Sequence, residues 1–280
     1  MTAMASTKRP AWANALIHTF LGAAALLSLA PTVWVMVSSF KTGNQIFTGD
    51  GFWPAPFTLQ GFVDVFTQIR LHDYLLNTLL YAGLGTLGAL SAGFLAAYPL
   101  ARFAFLGRNA LVALFSLALA LPLVGMATPV FFVVRELGMF DSRAGMVVLY
   151  AALQFPFTFV VLRSFLISTP RELEEAAMID GAGYFTTLFR VVLPLARPAL
   201  ATAGVVAFVN IWNEFFFANL LLMSRENQNV QLALAGFKSQ FGFNVTGAVA
   251  GATLVMLVPI AIFLILQRQV ISGLTAGAVK

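Results

Sequence analysis

The chain contains no cysteine, which excludes a disulfide framework, a thiol nucleophile and a thiolate metal site. Histidine is almost as scarce: His18 and His72 stand far apart, and no H-E-x-x-H run gives metal-ligand spacing. There is no G-x-x-x-x-G-K-[ST] loop, so nothing argues that this chain binds ATP by itself. Charge is also in short supply. Only 10% of the 280 residues are Asp, Glu, Lys or Arg, where a soluble domain carries about 25%. The net charge of +5 is small and dispersed, too little to point to a nucleic-acid partner, and it suits an excess of basic residues in loops on one side of a membrane.

What the chain has in abundance is long apolar sequence; 60% of it is hydrophobic. Six stretches are long enough to cross a bilayer, which takes about 20 helical residues: 12–38, 74–99, 109–134, 145–167, 198–223 and 246–267. The expectation is an all-α polytopic membrane protein, with residues 1–280 forming a single transmembrane domain. Lys8 and Arg9 precede the first stretch much as in a signal peptide, but the apolar run is longer than a signal core. We therefore expect a retained helix. Residues 39–73 make the longest loop, whose Phe52 and Trp53 suit a membrane interface. In the second span Gly85, Ala89, Gly93 and Ala97 recur every four residues, a small-residue seam for close helix packing.

The longest polar interruption of the second half is 168–197. It carries Glu172, Glu174, Glu175 and Asp180, four of the eleven acidic residues. It reads as two short helices. Thr169, Pro170 and Glu172 make a start signal, with Thr169 as cap and Glu172 at the capping-box position. Leu173, Ala176, Ala177 and Asp180 share one small, flat face, and Gly181 and Gly183 end the helix. A second stripe, Phe185, Leu188, Phe189 and Val192, runs to a stop at Pro194. From the residues alone, an amphipathic loop on the membrane surface serves equally well.

Glu175-Ala176-Ala177, three residues, Gly181, nine residues, then Val191-Val192-Leu193-Pro194 resembles the EAA loop of inner-membrane permeases of ABC importers, with Val191 where Ile is commoner. Tyr98-Pro99-Leu100-Ala101-Arg102-Phe103, the turn Leu137-Gly138-Met139-Phe140-Asp141-Ser142 and the tail from Gly273 to Lys280 resemble the maltose-type, MalG-like carbohydrate branch. The resemblance implies a type I importer permease fold in the bacterial cytoplasmic (inner) membrane. It implies that 168–197 is the coupling loop, with Glu175, Ala176, Ala177, Asp180 and Gly181 meeting a separate ATPase. The implied partners are a second homologous permease, two ATPase subunits that use ATP and Mg, an extracytoplasmic solute-binding protein and the bilayer. This chain would bind no cofactor and catalyse no reaction. With the amino terminus inside, Lys8, Arg9, Arg102, Arg108, Arg163, Arg171, Arg190, Arg197, Arg268 and Lys280 are cytoplasmic. Lys41, Arg70, Arg135, Arg143, Arg225 and Lys238 are then outside, a distribution that follows the positive-inside tendency and puts both termini in the cytoplasm.

One carboxylate, Glu214, lies deep in an expected span, where an ionisable group marks function by default. Asn210, Asn213, Glu214 and Phe217 follow at i, i+3, i+4 and i+7, so a continuous helix would put them on one polar face with an aromatic edge. Amides and a carboxylate suit sugar hydroxyls; the same cluster reads also, and more readily, as glue between helices or as a hold on the gate or subunit interface. Trp212 falls on the other side and reads as packing. The leading expectation is the permease subunit of a carbohydrate importer for an oligosaccharide, sugar or polyol. The predicted span interiors hold no basic cluster for an anion such as glycerol phosphate, which remains an alternative. More distant is an ion-coupled transporter using Glu214.

Overall fold

The computed structural model describes residues 11–49, 51–240 and 244–278, and every regular element among them is helical. Among the described residues four helices are long and apolar enough to cross a membrane, or six if two sharply bent pairs each count as one span. The chain contacts fall into two compact units. One is built on residues up to Ile69 with Phe237–Leu254, the other on Arg70–Gly236 with the segment from Val255 onward.

The first unit begins with α1 (Ala11–Ser38), whose Phe20, Leu26 and Leu27 are all exposed. A helix that is apolar all round has lipid or protein as its solvent, not water. The 39–73 region holds two short helices, α2 (Gly43–Thr48) and α3 (Gln60–Asp64), the second running on into a π turn at Val65–Ile69. A capping box starts α2: Thr42 Oγ1 accepts from the Gln45 amide, and Gln45 Oε1 accepts from the Thr42 amide. Asp64 accepts from Gln60 at 2.7 Å and from Asn244 at 2.9 Å. A Cβ on Gly61 would stand 2.6 Å from the Thr246 carbonyl oxygen, so this backbone approach needs a glycine.

The second unit is organised around α4 (Leu71–Arg102). Next come α5 (Arg108–Leu117), α6 (Ala127–Glu136) and α7 (Arg143–Ser168). The small-residue seam of α4 lies against α7. Ala89 and Ala97 are fully buried, and a Cβ on Gly93 would fall 2.5 Å from Thr158 Oγ1. The Thr158 hydroxyl donates to the Ala89 carbonyl at 2.9 Å, a helix-to-helix bond that close approach permits. The stretch 109–134, read as one span, is bent by 104° between its two helical halves. Leu121 is extended there (φ −72°, ψ 127°), because Pro122 disfavours the helical region for the residue before it.

Past α7 come α8 (Glu172–Ile179), α9 (Tyr184–Thr187), a wide π turn at Leu188–Val192, α10 (Leu193–Leu195) and α11 (Arg197–Trp212). The unit closes with α12 (Phe216–Leu221), the first part of α13 (Val230–Gln240) and the last part of α14 (Val245–Ala278). Asp141, at φ +50°, ties the 137–142 turn to the segment after α12. Its carboxylate accepts from the amides of Met223 and Ser224 at 3.0 Å and from the Ser224 hydroxyl. Burial would raise the Asp141 pKa, but these bonds outweigh it and hold the carboxyl below its ordinary value. From α4, Asn77 donates to the carbonyls of Glu226 and Gln228, and Tyr81 to that of Asn227 at 2.6 Å.

Candidate functional site

The loop between α7 and α11 forms the two helices expected, with a different start. Thr169 does not cap α8. It ends α7 with its hydroxyl on the Phe165 carbonyl, and α8 opens at Glu172 behind an Arg171 that offers no side-chain cap. Pro170 enforces this, since the residue before a proline is pushed to extended backbone, and Thr169 has ψ 129°. Three acids in the first turn, Glu172, Glu174 and Glu175, complement the positive end of the helix dipole instead.

Gly181 ends α8 at φ +88°, the left-handed conformation that glycine adopts without strain. The Ala182 amide bonds the Ala177 carbonyl at 2.9 Å and the Gly181 amide bonds the Met178 carbonyl at 3.0 Å, which is a Schellman closure. Gly183 has a different part: it is extended and precedes α9. Pro194 does not stop the second helix. The rod runs on to Leu195 and bends by 69° into α11, with the π turn just ahead of the proline, which cannot donate a backbone hydrogen bond.

Leu173, Ala176, Glu175, Asp180 and Gly181 are exposed, and Ala177 is half-buried. Ile179 (86% exposed) and Phe185 (70%) extend this uncovered apolar surface. The stripe read as Phe185, Leu188, Phe189 and Val192 divides in two. Leu188 and Val192 enter the core with Tyr98, Phe159, Leu162 and Leu166, while Phe185 and Phe189 stay outside.

The residue that sequence reasoning passed over is Glu174. Its side chain and that of Arg102 are 8% and 6% exposed. Glu174 Oε1 accepts from Arg102 Nε at 2.7 Å and Nη2 at 2.6 Å, and Oε2 accepts from the Tyr98 hydroxyl at 2.9 Å. Arg102 Nη2 also donates to the Thr169 carbonyl at 3.1 Å. The ring of Tyr184, which opens α9, packs on Tyr98 and Phe103 with centroids 5.7 and 5.9 Å away. Tyr98, Arg102 and Phe103 thus seat both loop helices on the end of α4. A signal was present, because Tyr98 and Arg102 lie at i and i+4 on one helical face.

The polar cluster near the end of α11 is built differently from the shared face expected. The helix ends at Trp212, and α12 starts at Phe216. Glu214 sits in the break. Its Oε1 accepts from the Phe217 amide at 2.7 Å; its Oε2 accepts from the Ala218 amide at 3.1 Å and the Tyr150 hydroxyl at 2.8 Å. The carboxylate therefore satisfies amides at the start of α12 that no earlier turn can bond. Phe217 is 1% exposed and turned into the core, so it offers no surface to a sugar ring. Asn210 and Asn213 are exposed; Asn210 donates to Gln154 at 3.3 Å and Asn213 to the Val209 carbonyl at 3.0 Å. Trp212 is fully buried, stacks on Phe208 and donates to the Val255 carbonyl. Among the described residues no group of three or more His, Asp or Glu is placed to hold a metal ion.

Comparison with known proteins gives this geometry a family. The profile described as "Binding-protein-dependent transport system inner membrane component" matches residues 88–275. The sulfoquinovosyl glycerol transport system permease protein SmoH of Agrobacterium fabrum is 34% identical over 93% of both chains. The trehalose/maltose transport system permease protein MalG of Thermococcus litoralis is also 34% identical, over 91% of this chain and 93% of its own. A crystal structure of a bacterial ABC transporter involved in import of the acidic polysaccharide alginate superposes with a TM-score of 0.78. That match has 26% identity and covers 91% of this chain and 95% of that one. A helical chain with four to six apolar spans among its described residues and a two-helix loop seated on the end of one of them is thus a multi-pass permease, and it belongs to the inner-membrane components of binding-protein-dependent transport systems.

Proposed function

We propose that this chain is the permease subunit of an importer that moves a carbohydrate across the cytoplasmic membrane, driven by ATP hydrolysis in separate subunits. The carrying observation is the loop at 168–197. Leu173, Ala176, Ile179 and Phe185 leave an apolar surface uncovered, on helices that are fastened to a spanning helix by Arg102 and Tyr98. Glu175, Ala176, Ala177, Asp180 and Gly181 belong to this surface, and its partner is a cytoplasmic ATPase subunit that binds ATP and Mg. A second permease chain completes the pathway, and a solute-binding protein delivers the substrate from outside. The relatives named for sulfoquinovosyl glycerol and for trehalose/maltose support a sugar, oligosaccharide or polyol.

Within the chain, Asn210 and Asn213 offer exposed amides to such a substrate. Glu214 and Phe217 act behind them, as a cap and a core residue. Glu214 has both oxygens engaged by three donors, which does not favour its use as a mobile proton carrier.

The test is reconstitution with the second permease, the ATPase and the solute-binding protein of the same transport system. The ligand that copurifies with the binding protein is identified by mass spectrometry and offered in radiolabelled form. Uptake that needs luminal ATP and survives collapse of the proton gradient is expected. Uptake that survives ATP removal and stops with the gradient would overturn the reading.

A further inference from the structure

We infer that Tyr98, Arg102 and Phe103 at the end of α4 form a socket through which movement of the loop is passed to the spanning helices, with Glu174 and Tyr184 as the plug. The inference rests on the proposed docking of that loop on an ATPase. It goes further by naming where the displacement leaves the loop. Chain continuity does not supply that path. Between α7 and α8 lie three non-helical residues, with Thr169 extended. Between α8 and α9 the backbone turns through Gly181 at φ +88°. Beyond α9 come the π turn at Leu188–Val192 and the 69° bend into α11. Each break is a place where a tilt of α8 can dissipate.

The side chains bridge these breaks. Arg102 joins three elements, with two contacts to Glu174 of α8 and one to the carbonyl of Thr169 at the end of α7. Tyr98 joins both loop helices, through its hydroxyl to Glu174 and its ring to Tyr184. The ion pair is shielded from water on both sides, so a partner lost from it leaves a buried charge unpaired. Glu172 and Glu175, the other acids of the first turn, are exposed. Glu174 is therefore a positioning residue: it touches neither nucleotide nor substrate and acts by holding the loop to α4.

The assembled transporter is tested with Glu174→Gln, Arg102→Lys and the milder Tyr98→Phe. Hydrolysis stimulated by loaded binding protein and uptake are measured on the same proteoliposomes, and assembly is checked by size-exclusion chromatography. Uptake per ATP is expected to fall about tenfold in the first two variants, the size of an ordinary coupling between sites, and less in Tyr98→Phe. This chain has no native cysteine, so with cysteine-free partner subunits spin labels can be placed at Leu95→Cys and Glu172→Cys alone, both at exposed positions. Their distance distribution is expected to stay narrow with and without ATP, and to broaden when Glu174→Gln is added. Hydrolysis and uptake falling in parallel, or an unchanged distance distribution in Glu174→Gln, would overturn the socket. A wild-type transporter without ATP-driven uptake would instead overturn the function on which the inference rests, while the label distances would still read the socket itself.

Discussion

The Tyr150 hydroxyl donates to Glu214 Oε2 at 2.8 Å, and the same carboxylate closes the start of α12 through the amides of Phe217 and Ala218. This joins α7 to the break after α11, and it makes Glu214 a structural centre of the second unit. Glu214→Ala is expected to destabilise the chain by about 1–3 kcal/mol, the cost of leaving buried donors unmade. Tyr150→Phe, which removes one bond, is expected to cost about 1 kcal/mol. Thermal unfolding of the purified complex measures both.

The close pass of α4 over α7 is sensitive to a single methyl group. Gly93→Ala would put a Cβ 2.5 Å from Thr158 Oγ1 and 3.2 Å from the Phe159 backbone nitrogen, so about 1–3 kcal/mol of overpacking cost is expected. Gly83→Ala is the control, since nothing lies within 4 Å of its Cβ position. The expected outcome is a lowered Tm and yield for the first and little change for the second.

Asp141 gives a pH signature. Its folded pKa lies below the ordinary carboxylate value. The stabilisation it supplies is therefore complete above the unfolded pKa and is lost as the pH falls through the folded one. Acidification from neutral pH is expected to weaken the staple to Met223 and Ser224 once the pH passes below the ordinary Asp value, and to release it only below the lowered folded pKa. Asp141→Asn is expected to lower Tm at neutral pH and to reduce its further fall on acidification. An acid dependence identical to that of wild type would exclude this role.

Gly181 separates docking from transmission. A β-branched residue at φ +88° is strained by at least about 1–2 kcal/mol, and Gly181→Val should break the closure between α8 and α9. Hydrolysis is expected to persist while uptake is lost. Uptake retained in step with hydrolysis would contradict the role of this turn in holding Glu174 and Tyr184 together at the end of α4.

The sequence carried the loop clearly because Pro170, the acids and Gly181 are local signals that act within a few residues of their own position. It also carried the Gly85–Ala97 seam, whose period of four needs no knowledge of the partner helix. The ion pair of Arg102 and Glu174 was out of reach because it joins positions 72 residues apart, and three neighbouring glutamates look alike until burial separates them. The break after Trp212 was hidden for a related reason. Asn213, Glu214 and Phe215 include no proline or glycine, and the cap comes from a side chain whose targets lie three and four residues ahead. Pro122 did announce the 104° bend, but a continuous apolar run on either side of it reads as one span.

The central claim is that α8 faces an ATPase in the cytoplasm, and labelling of one position tests it most directly. Ile179 is the most exposed large apolar side chain of the loop, and Ile179→Cys would be the only thiol in the chain. A membrane-impermeant maleimide is expected to label it in inverted vesicles stripped of the ATPase, to be blocked when the ATPase is restored, and to leave it untouched in right-side-out spheroplasts. Labelling from the outside, or labelling in inverted vesicles that the ATPase does not diminish, would contradict the account.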